Sequence, residues 1–529
     1  MEKKRGILPK KVKGFRDITP DMNALRWKII TAASDVYKSF GFEHWDTPIV
    51  EYADCLGKYL PDDQTTDKGI FSFRSPEKEP IFNTVGEELR HEWNNEVLME
   101  NHYLALRYDL TAPLARMYAE TLWNDFLKGN IKEKQTPLLR RYQYGQVFRF
   151  EEKLEPGRFR EFWQLDFDSV GTTDISADAE VCMILSAALE KIGIERGTYI
   201  VKVNNRKVLK GFLISIGITD ENTEANILRV IDKMDKIGLQ GIEKELGTGR
   251  VDEVSGAEIK GINIEPNIIE KIKSFLQAFP KEILRKQVIE QLKGYSKNQI
   301  IEEGITELAG IDAILSELNI DEKRVIFDPT LVRGLAYYTG PVFEVESLQT
   351  FIDEKGNKRH FGAIAAGGRY DGLVQNLLGI RVPATGASIG VDRLAELLTQ
   401  TNQLAEKAES AVIIINFDDA LMGEYQKIAA ELRAENLQVE IYYGDQRQLK
   451  KQLQYADQKN CPIALLLGED ELKKGVVSVR NLKLGKELSA TITDKAEWKT
   501  RVQFEVGRNN LVKTVLEILN ENISIKNIK

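Results

Sequence analysis

The chain has 529 residues, 42% hydrophobic and 29% charged, a composition ordinary for a globular protein and long enough for two or three domains with their own cores. Its longest apolar runs, Ala411 to Ile415 and Ile463 to Leu467, are strand-sized and far short of the roughly 20 residues a membrane helix needs, so no bilayer span is expected and the cytoplasm is the expected location. The net charge of -8 argues against nonspecific polyanion binding, and any nucleic-acid contact must use a local basic surface.

Met1 to Gly14 is basic, but no apolar run follows it to make a signal segment. Leu25, Ile29, Ile30, Val36 and Tyr37 then recur at helical spacing, with Gly41 suited to stop the helix. Phe42 to Glu51 follows as a strand in which Pro48, unable to donate a ladder hydrogen bond, suits an edge or an interface. Leu104 to Thr111 reads as a strand entering a helix, with Asp109 and Thr111 two apart and Pro113 at an early helical position. Helix capping by Thr111 accounts for that pattern equally well. Tyr142 to Phe150 and Phe162 to Ser169 alternate in character around a charged connection, Glu151 to Arg160, and so predict a long antiparallel hairpin. Residues 172–326 carry mostly helical patterns with a glycine-spotted stretch from Gly238 to Gly261, which predicts an insertion domain. Strand-like Pro341 to Val345 comes next. From residue 408 to 529, apolar runs at Ala411 to Phe417, Val439 to Tyr443 and Ile463 to Leu467 alternate with helical stretches, the pattern of a separate α/β domain.

Chemistry concentrates in four segments. Arg149 ends the first strand of the hairpin, while Gln164 and Asp168 lie four apart on the second and point to one face. Trp163, Leu165 and Phe167 at the opposite positions are apolar, so both faces are occupied and the polar one fits a lined cavity. A solvated sheet face fits the alternation too. Asp109 and Thr111 form the second segment. In the third, Arg333 stands beside Tyr337 and Tyr338 before a strand, although a loop arginine is often merely solvated. The fourth combines Gly367 to Gly372 with Gly386 to Leu394, where glycines remove side chains so that a flat ligand or another backbone can approach; tight turns are the alternative. No Walker A loop and no strand-following GxGxxG is present, which leaves no P-loop or Rossmann signal. Cys55, Cys182 and Cys461 and the four histidines have neither disulfide nor metal-ligand spacing, so a metal is expected only with a nucleotide. Arg149, Arg333 and Arg393 with several acids, and without a Ser/His or Cys/His pair, suit binding of a polyphosphate without covalent catalysis.

Val12 to Asp17, Leu106 to Pro113, Gly157 to Gln164, Leu331 to Gly340 and Gly386 to Leu394 occur in the order of the histidyl-tRNA synthetase signatures, and from about residue 10 onward the chain resembles that family. The resemblance implies an α+β fold: a class II antiparallel sheet with flanking helices, a helix-rich insertion and a C-terminal α/β anticodon-binding domain. It divides the chain into a catalytic core in two parts, 1–171 and 327–403, an insertion at 172–326 and an anticodon-binding domain at 408–529. It implies a homodimer with Pro48 at the interface, ATP and L-histidine as substrates, Mg²⁺ carried on the nucleotide, and tRNA(His) as the acceptor.

Carried over by position, Arg149 holds the α-phosphate and the carboxylate, Glu151 contacts the adenine, Phe162 stacks on it and Arg393 grips the terminal phosphate. Asp109, Thr111 and Gln164 hold the amino end of histidine, and Asp168 with Tyr337 or Tyr338 binds the imidazole. Arg333 stabilises the pentavalent phosphorus, so that Arg149, Arg333 and Gln164 form the catalytic set. Ala336 stands where the family commonly has an acid, the loop Glu151 to Arg158 is acidic and long, and Ser75 to His102 forms an additional insertion. A catalytically inactive relative that regulates ATP phosphoribosyltransferase is the competing reading; it usually lacks the C-terminal domain and the arginines that this chain keeps.

Overall fold

In the computed structural model the first helix, α1 (Pro20–Ser39), opens on the Thr19 hydroxyl, which accepts from the Met22 amide, and buries Leu25, Ile29, Ile30 and Tyr37 against a sheet. The structure describes residues 8–57, 69–77, 103–130, 136–151, 154, 157–251, 256–280, 283–332, 338–352, 356, 358–401, 412–489, 491–492 and 494–526. The chain falls into two units, Met1–Gln403 and Leu404–Lys529.

In the first unit, β1 (Glu43–His44), β5 (Leu139–Phe148), β6 (Glu161–Val170), β7 (Tyr199–Asn205), β8 (Val325–Phe327), β9 (Pro341–Ile352), β10 (Lys358–Tyr370) and β11 (Ala384–Gly390) form one eight-stranded sheet. Its order is β1-β5-β6-β11-β10-β9-β7-β8, antiparallel throughout except for the two edge pairs, β1 with β5 and β7 with β8. A separate three-stranded sheet of β2 (Val50–Tyr52), β3 (Ser72–Arg74) and β4 (Tyr103–Leu106) leads into helix α2 (Thr111–Leu127). Helix α3 (Ser176–Ile192) packs on α1 and β11, and α4 (Val391–Gln400) follows β11.

The predicted hairpin is β5 and β6, paired from Leu139↔Val170 to Phe148↔Glu161. Its apolar side meets α1: the Tyr37 and Phe167 rings lie 4.8 Å apart and those of Trp27 and Trp163 5.9 Å apart. Two expectations change. Phe42 to Glu51 is not one strand, because the chain leaves the large sheet after His44 and joins the small sheet at Val50, with Pro48 in the break. Residues 172–326 are not wholly an insertion, because β7 and β8 complete the main sheet. The polar residues of β7 hid the strand: Lys202 pairs with Glu346 at 2.6 Å, and the buried Asn204 amide donates to the Pro329 and Leu331 carbonyls. What lies outside the sheet is mainly helical, together with a two-stranded ribbon of Gly249–Val251 and Glu258–Lys260.

A buried clamp fixes α3 to the sheet. Asp178 accepts from Arg369 Nε at 3.0 Å and Nη2 at 2.5 Å and from the Thr385 hydroxyl at 2.8 Å, while Arg369 also donates to the Thr172 carbonyl. Burial raises the Asp178 carboxyl above the ordinary range, and the guanidinium opposes that rise.

In the second unit, β12 (Val412–Ile415), β13 (Val439–Ile441), β14 (Ile463–Leu466), β15 (Val476–Asn481) and β16 (Gln503–Gly507) form a sheet of order β13-β12-β14-β15-β16. The first three run parallel and the last two antiparallel. Both faces are covered: Val412 and Ile414 join a core with Tyr425, Ile428 and Leu511, and Ile413 and Ile415 join one with Ala456 and Leu466. That is why these strands read as continuous apolar runs.

Candidate active site

Register places the site. Gln164, Asp166 and Asp168 share one face of β6, opposite Gly145, Gln143 and Arg141 on β5 and Gly390, Ser388 and Gly386 on β11. Beyond β11, Ala366 and Gly368 of β10 face Ser388 and Gly386, so small side chains keep the floor low on that side. Above it lies a cavity of about 370 Å³. Of the residues singled out from sequence, Asp109, Thr111, Arg149, Glu151, Phe162, Gln164, Asp168, Tyr338 and Arg393 are brought together as its lining. Arg333, Tyr337 and Ala336 lie outside the described residues, as do residues 78–102 of the additional insertion and part of the loop from Glu151 to Arg158.

Asp168 is held from two directions. Tyr370 donates to its Oδ1 at 2.5 Å, and Arg141 Nη2 stands 3.1 Å from its Oδ2. Arg141 also donates to the Leu110 carbonyl at 2.7 Å, fixing the start of α2 beneath the site. Burial raises the Asp168 carboxyl, with Arg141 and Tyr370 acting against the rise. Gly386 is required here, because a Cβ would lie 2.3 Å from the Phe167 carbonyl and 2.4 Å from Asp168 Oδ1. At Gly368 a Cβ would meet the Tyr338 ring at 2.7 Å. These glycines therefore make room for the protein's own site residues.

The start of α2 is capped by Asp109, not Thr111: Asp109 Oδ1 accepts from the Thr111 and Ala112 amides at 3.1 and 2.9 Å. Near the Phe162 end of the floor, Arg149 Nε donates to the Tyr108 carbonyl at 3.0 Å, and its guanidinium lies 4.4 Å from the Tyr108 ring centre and 5.3 Å from that of Phe162. Arg393 donates to the Phe361 carbonyl, with Gly157 alongside. The neighbouring Asp392 is a buried anchor: Oδ1 accepts from Arg16 at 2.8 Å and Arg26 at 2.9 Å, and Oδ2 from the Trp163 amide at 2.6 Å. Phe162 and Asp168 are six residues apart on one strand, about 20 Å at the usual rise, so cationic and anionic groups are drawn out along an elongated floor.

Asp166, Tyr370 and Ser388 were missed from sequence. Asp166 was visible by the same alternation that selected Gln164 and Asp168, whereas Tyr370 and Ser388 come into the site only through the register of β10 and β11.

A largely antiparallel sheet with a hairpin floor, arginines toward one end and paired carboxylates toward the other, and no Ser/His or Cys/His pair among the described lining residues, has the organisation of a class II aminoacyl-tRNA synthetase catalytic unit. The family sequence model described as histidyl-tRNA synthetase matches residues 78–394, and that of an anticodon binding domain matches residues 409–518. The chain is 41% identical to the histidine–tRNA ligase of Ruegeria sp. strain TM1040 over 96% of its own length and 95% of that protein's. It is likewise 41% identical to that of Paracoccus denitrificans over 96% of its length and 97% of the relative's. Among solved structures, histidyl-tRNA synthetase from Nostoc sp. PCC 7120 superposes with a TM-score of 0.66 at 27% identity, covering 97% of this chain and 100% of that one. The chain belongs to the histidyl-tRNA synthetase family. A Bacillus halodurans chain described as an ATP phosphoribosyltransferase regulatory subunit/histidyl-tRNA synthetase shares the fold at a TM-score of 0.60 and 20% identity, over 85% of this chain and 97% of that one.

Proposed function

We propose that the chain activates L-histidine with ATP, releasing pyrophosphate, and then transfers histidine from the adenylate to the 3′ end of tRNA(His). One observation carries this reading: in a chain about 40% identical to histidine–tRNA ligases along nearly its whole length, arginines and carboxylates line opposite ends of a single cavity.

In the first step the histidine carboxylate forms a bond to the α-phosphorus, and the bond to the bridging oxygen breaks. Charge grows on the nonbridging oxygens. Arg149, already anchored on Tyr108, meets that charge without reorganising, and Arg333 is the proposed second cation. Phe162 and Glu151 are proposed to receive the adenine and Arg393 the terminal phosphate. Asp109, Thr111 and Gln164 take the amino end. Asp168, oriented by Tyr370 and Arg141, accepts from the imidazole together with Tyr338 and Tyr337. Recognition by paired hydrogen bonds rejects analogues that lack a partner, because a buried carboxylate is then left unpaired. Mg²⁺ is proposed to arrive on the outer phosphates of ATP; among the described residues no group of three His, Cys, Asp or Glu gathers at a metal position.

Among the described residues no helix is long and apolar enough to cross a membrane, and a cytoplasmic site of action is proposed. A homodimer is proposed through the surface around Pro48, where Trp45, Ile49, Val50, Tyr52 and Trp123 are exposed. Light scattering is expected to give twice the chain mass of 60.1 kDa; a monomer at micromolar concentration would remove that surface from the proposal.

Function is tested by histidine-dependent exchange of labelled pyrophosphate into ATP, measured on the full chain and on residues 1–403. Both are expected to exchange, whereas tRNA charging by the shorter chain falls by about a hundredfold, because the splayed bases of an anticodon loop offer readable edges that a paired stem lacks. A cooperative melt verifies that the shorter chain is folded. Undiminished charging by that folded fragment rules out the proposed anticodon-binding role of residues 408–529, and absence of exchange by the full chain rules out the enzyme.

A further inference from the structure

Three carboxylates line the amino-acid end of the cavity, and two of them are already engaged. Asp109 Oδ1 caps α2, and Asp168 is held by Tyr370 and Arg141. Asp166 stands between Gln164 and Asp168 on the same face of β6 and is only 2% exposed, yet its Oδ1 has no hydrogen-bond partner among the described residues. The Oε1 of Gln164 is in the same condition. Ser388 links the two side chains: its Oγ accepts from Gln164 Nε2 at 2.8 Å, and it also hydrogen-bonds with Asp166. Both side chains are thus fixed while one acceptor oxygen on each is left unused. Leaving two adjacent buried acceptors bare costs free energy that a donor ligand recovers.

We propose that Asp166, with Gln164 Oε1, receives the α-ammonium of the amino-acid substrate and is a binding residue of this site. The inference rests on the histidine-activating reading and adds a second carboxylate, beside Asp109, for the amino group. An imidazole N–H needs one acceptor, which Asp168 supplies. Two bare oxygens side by side, one of them on a carboxylate, match a cation with three N–H donors.

The local electrostatics agree. Asp166 is faced by Asp168 on its own strand, by Arg141 on β5, by Asp109 and Arg107 from the segment entering α2 and by Ser388 of β11, with Tyr37 of α1 behind the sheet. Burial, and next the Asp168 charge, push its carboxyl up to about 7. An arriving ammonium favours the ionised form, so binding expels a proton. Below that pH the carboxyl is protonated and the ammonium loses its counter-charge, so histidine affinity falls as pH drops. The imidazole of the substrate titrates near 6.5 as well, and the informative quantity is therefore the difference between variant and parent.

The test compares the full-length parent with Asp166→Asn and Asp166→Gly by pyrophosphate exchange, with inhibition by L-histidinol, which keeps the amine, and by imidazole-4-propionate, which lacks it. Both variants are expected to raise the histidine KM and the histidinol Ki by about tenfold or more, leaving the ATP KM and the imidazole-4-propionate Ki within about twofold. The decline of histidine affinity between pH 8 and pH 6 is expected to be shallower in the variants. An unchanged histidine KM overturns the assignment, and so does an equal loss for the amine-free analogue. Two variants that both fail to melt cooperatively make the carboxylate structural and overturn it as well. Failure of the underlying reading is separate: the parent itself would show no histidine-dependent exchange.

Discussion

Alanine at Arg149 is expected to slow histidine-dependent pyrophosphate exchange by about 10³-fold, the scale at which one preorganised cationic donor acts on a developing phosphoryl charge. The arginine is placed for this by its Nε bond to the Tyr108 carbonyl and by the flanking Tyr108 and Phe162 rings, so little motion remains to be frozen when charge appears. Lysine is expected to restore little, because a point charge cannot both keep the Tyr108 bond and present a planar fork to phosphate and carboxylate oxygens. Loss of one carbonyl bond costs about 1 kcal/mol of stability, so the folded variant remains available for assay. Single-turnover adenylate formation with saturating ATP and histidine is the measurement. A drop of less than tenfold would remove Arg149 from charge stabilisation and leave it a positioning role for substrate.

Arg369→Ala is expected to destabilise the first unit by about 3–5 kcal/mol, the cost of leaving a buried carboxylate without its cation. Asp178 is fully buried and would keep only its Thr385 bond among the partners described above. Its carboxyl is already raised above the ordinary range by burial, and without the guanidinium it rises further. A group raised in the folded state favours folding below its unfolded value and opposes it as pH climbs. The penalty is therefore expected to be smaller near about pH 5 than near about pH 8. Urea unfolding at the two pH values measures it. Replacing both residues together, Arg369→Leu with Asp178→Leu, is expected to cost much less than the sum of the single changes, since the pair carries the coupling. Additive losses would mean that the clamp is not an interacting unit.

The hairpin and its polar face were legible because a strand's period of two is a local property, and Gln164 and Asp168 obey it over five residues. The same rule covers Asp166, whose place in the alternation carries the same signal. Tyr370 reaches Asp168 from 202 positions away and Ser388 reaches Gln164 from 224, and no local pattern encodes such pairings. Strand β7 escaped notice for a different reason. Its polar residues are satisfied by partners in β9 and the turn after β8, so a central strand carries lysine and asparagines where the pattern asks for apolar side chains. The reverse holds in the second unit, where four consecutive buried residues of β12 declare a strand covered on both faces.

The Asp392 anchor also bears on how the chain folds as it leaves the ribosome. Arg26 waits 366 residues for its partner and Arg16 waits 376, and the central β6–β11 pairing likewise needs residues 384–390. At about 5–20 residues per second, the amino-terminal helix spends about 20–70 s in the nascent state with its sheet unfinished and Arg16 and Arg26 without their carboxylate. Synthesis of residues 404–529 then holds the completed first unit on the ribosome for about 6–25 s more. The second unit thereby gives the first an interval in which to close its sheet while it is still tethered.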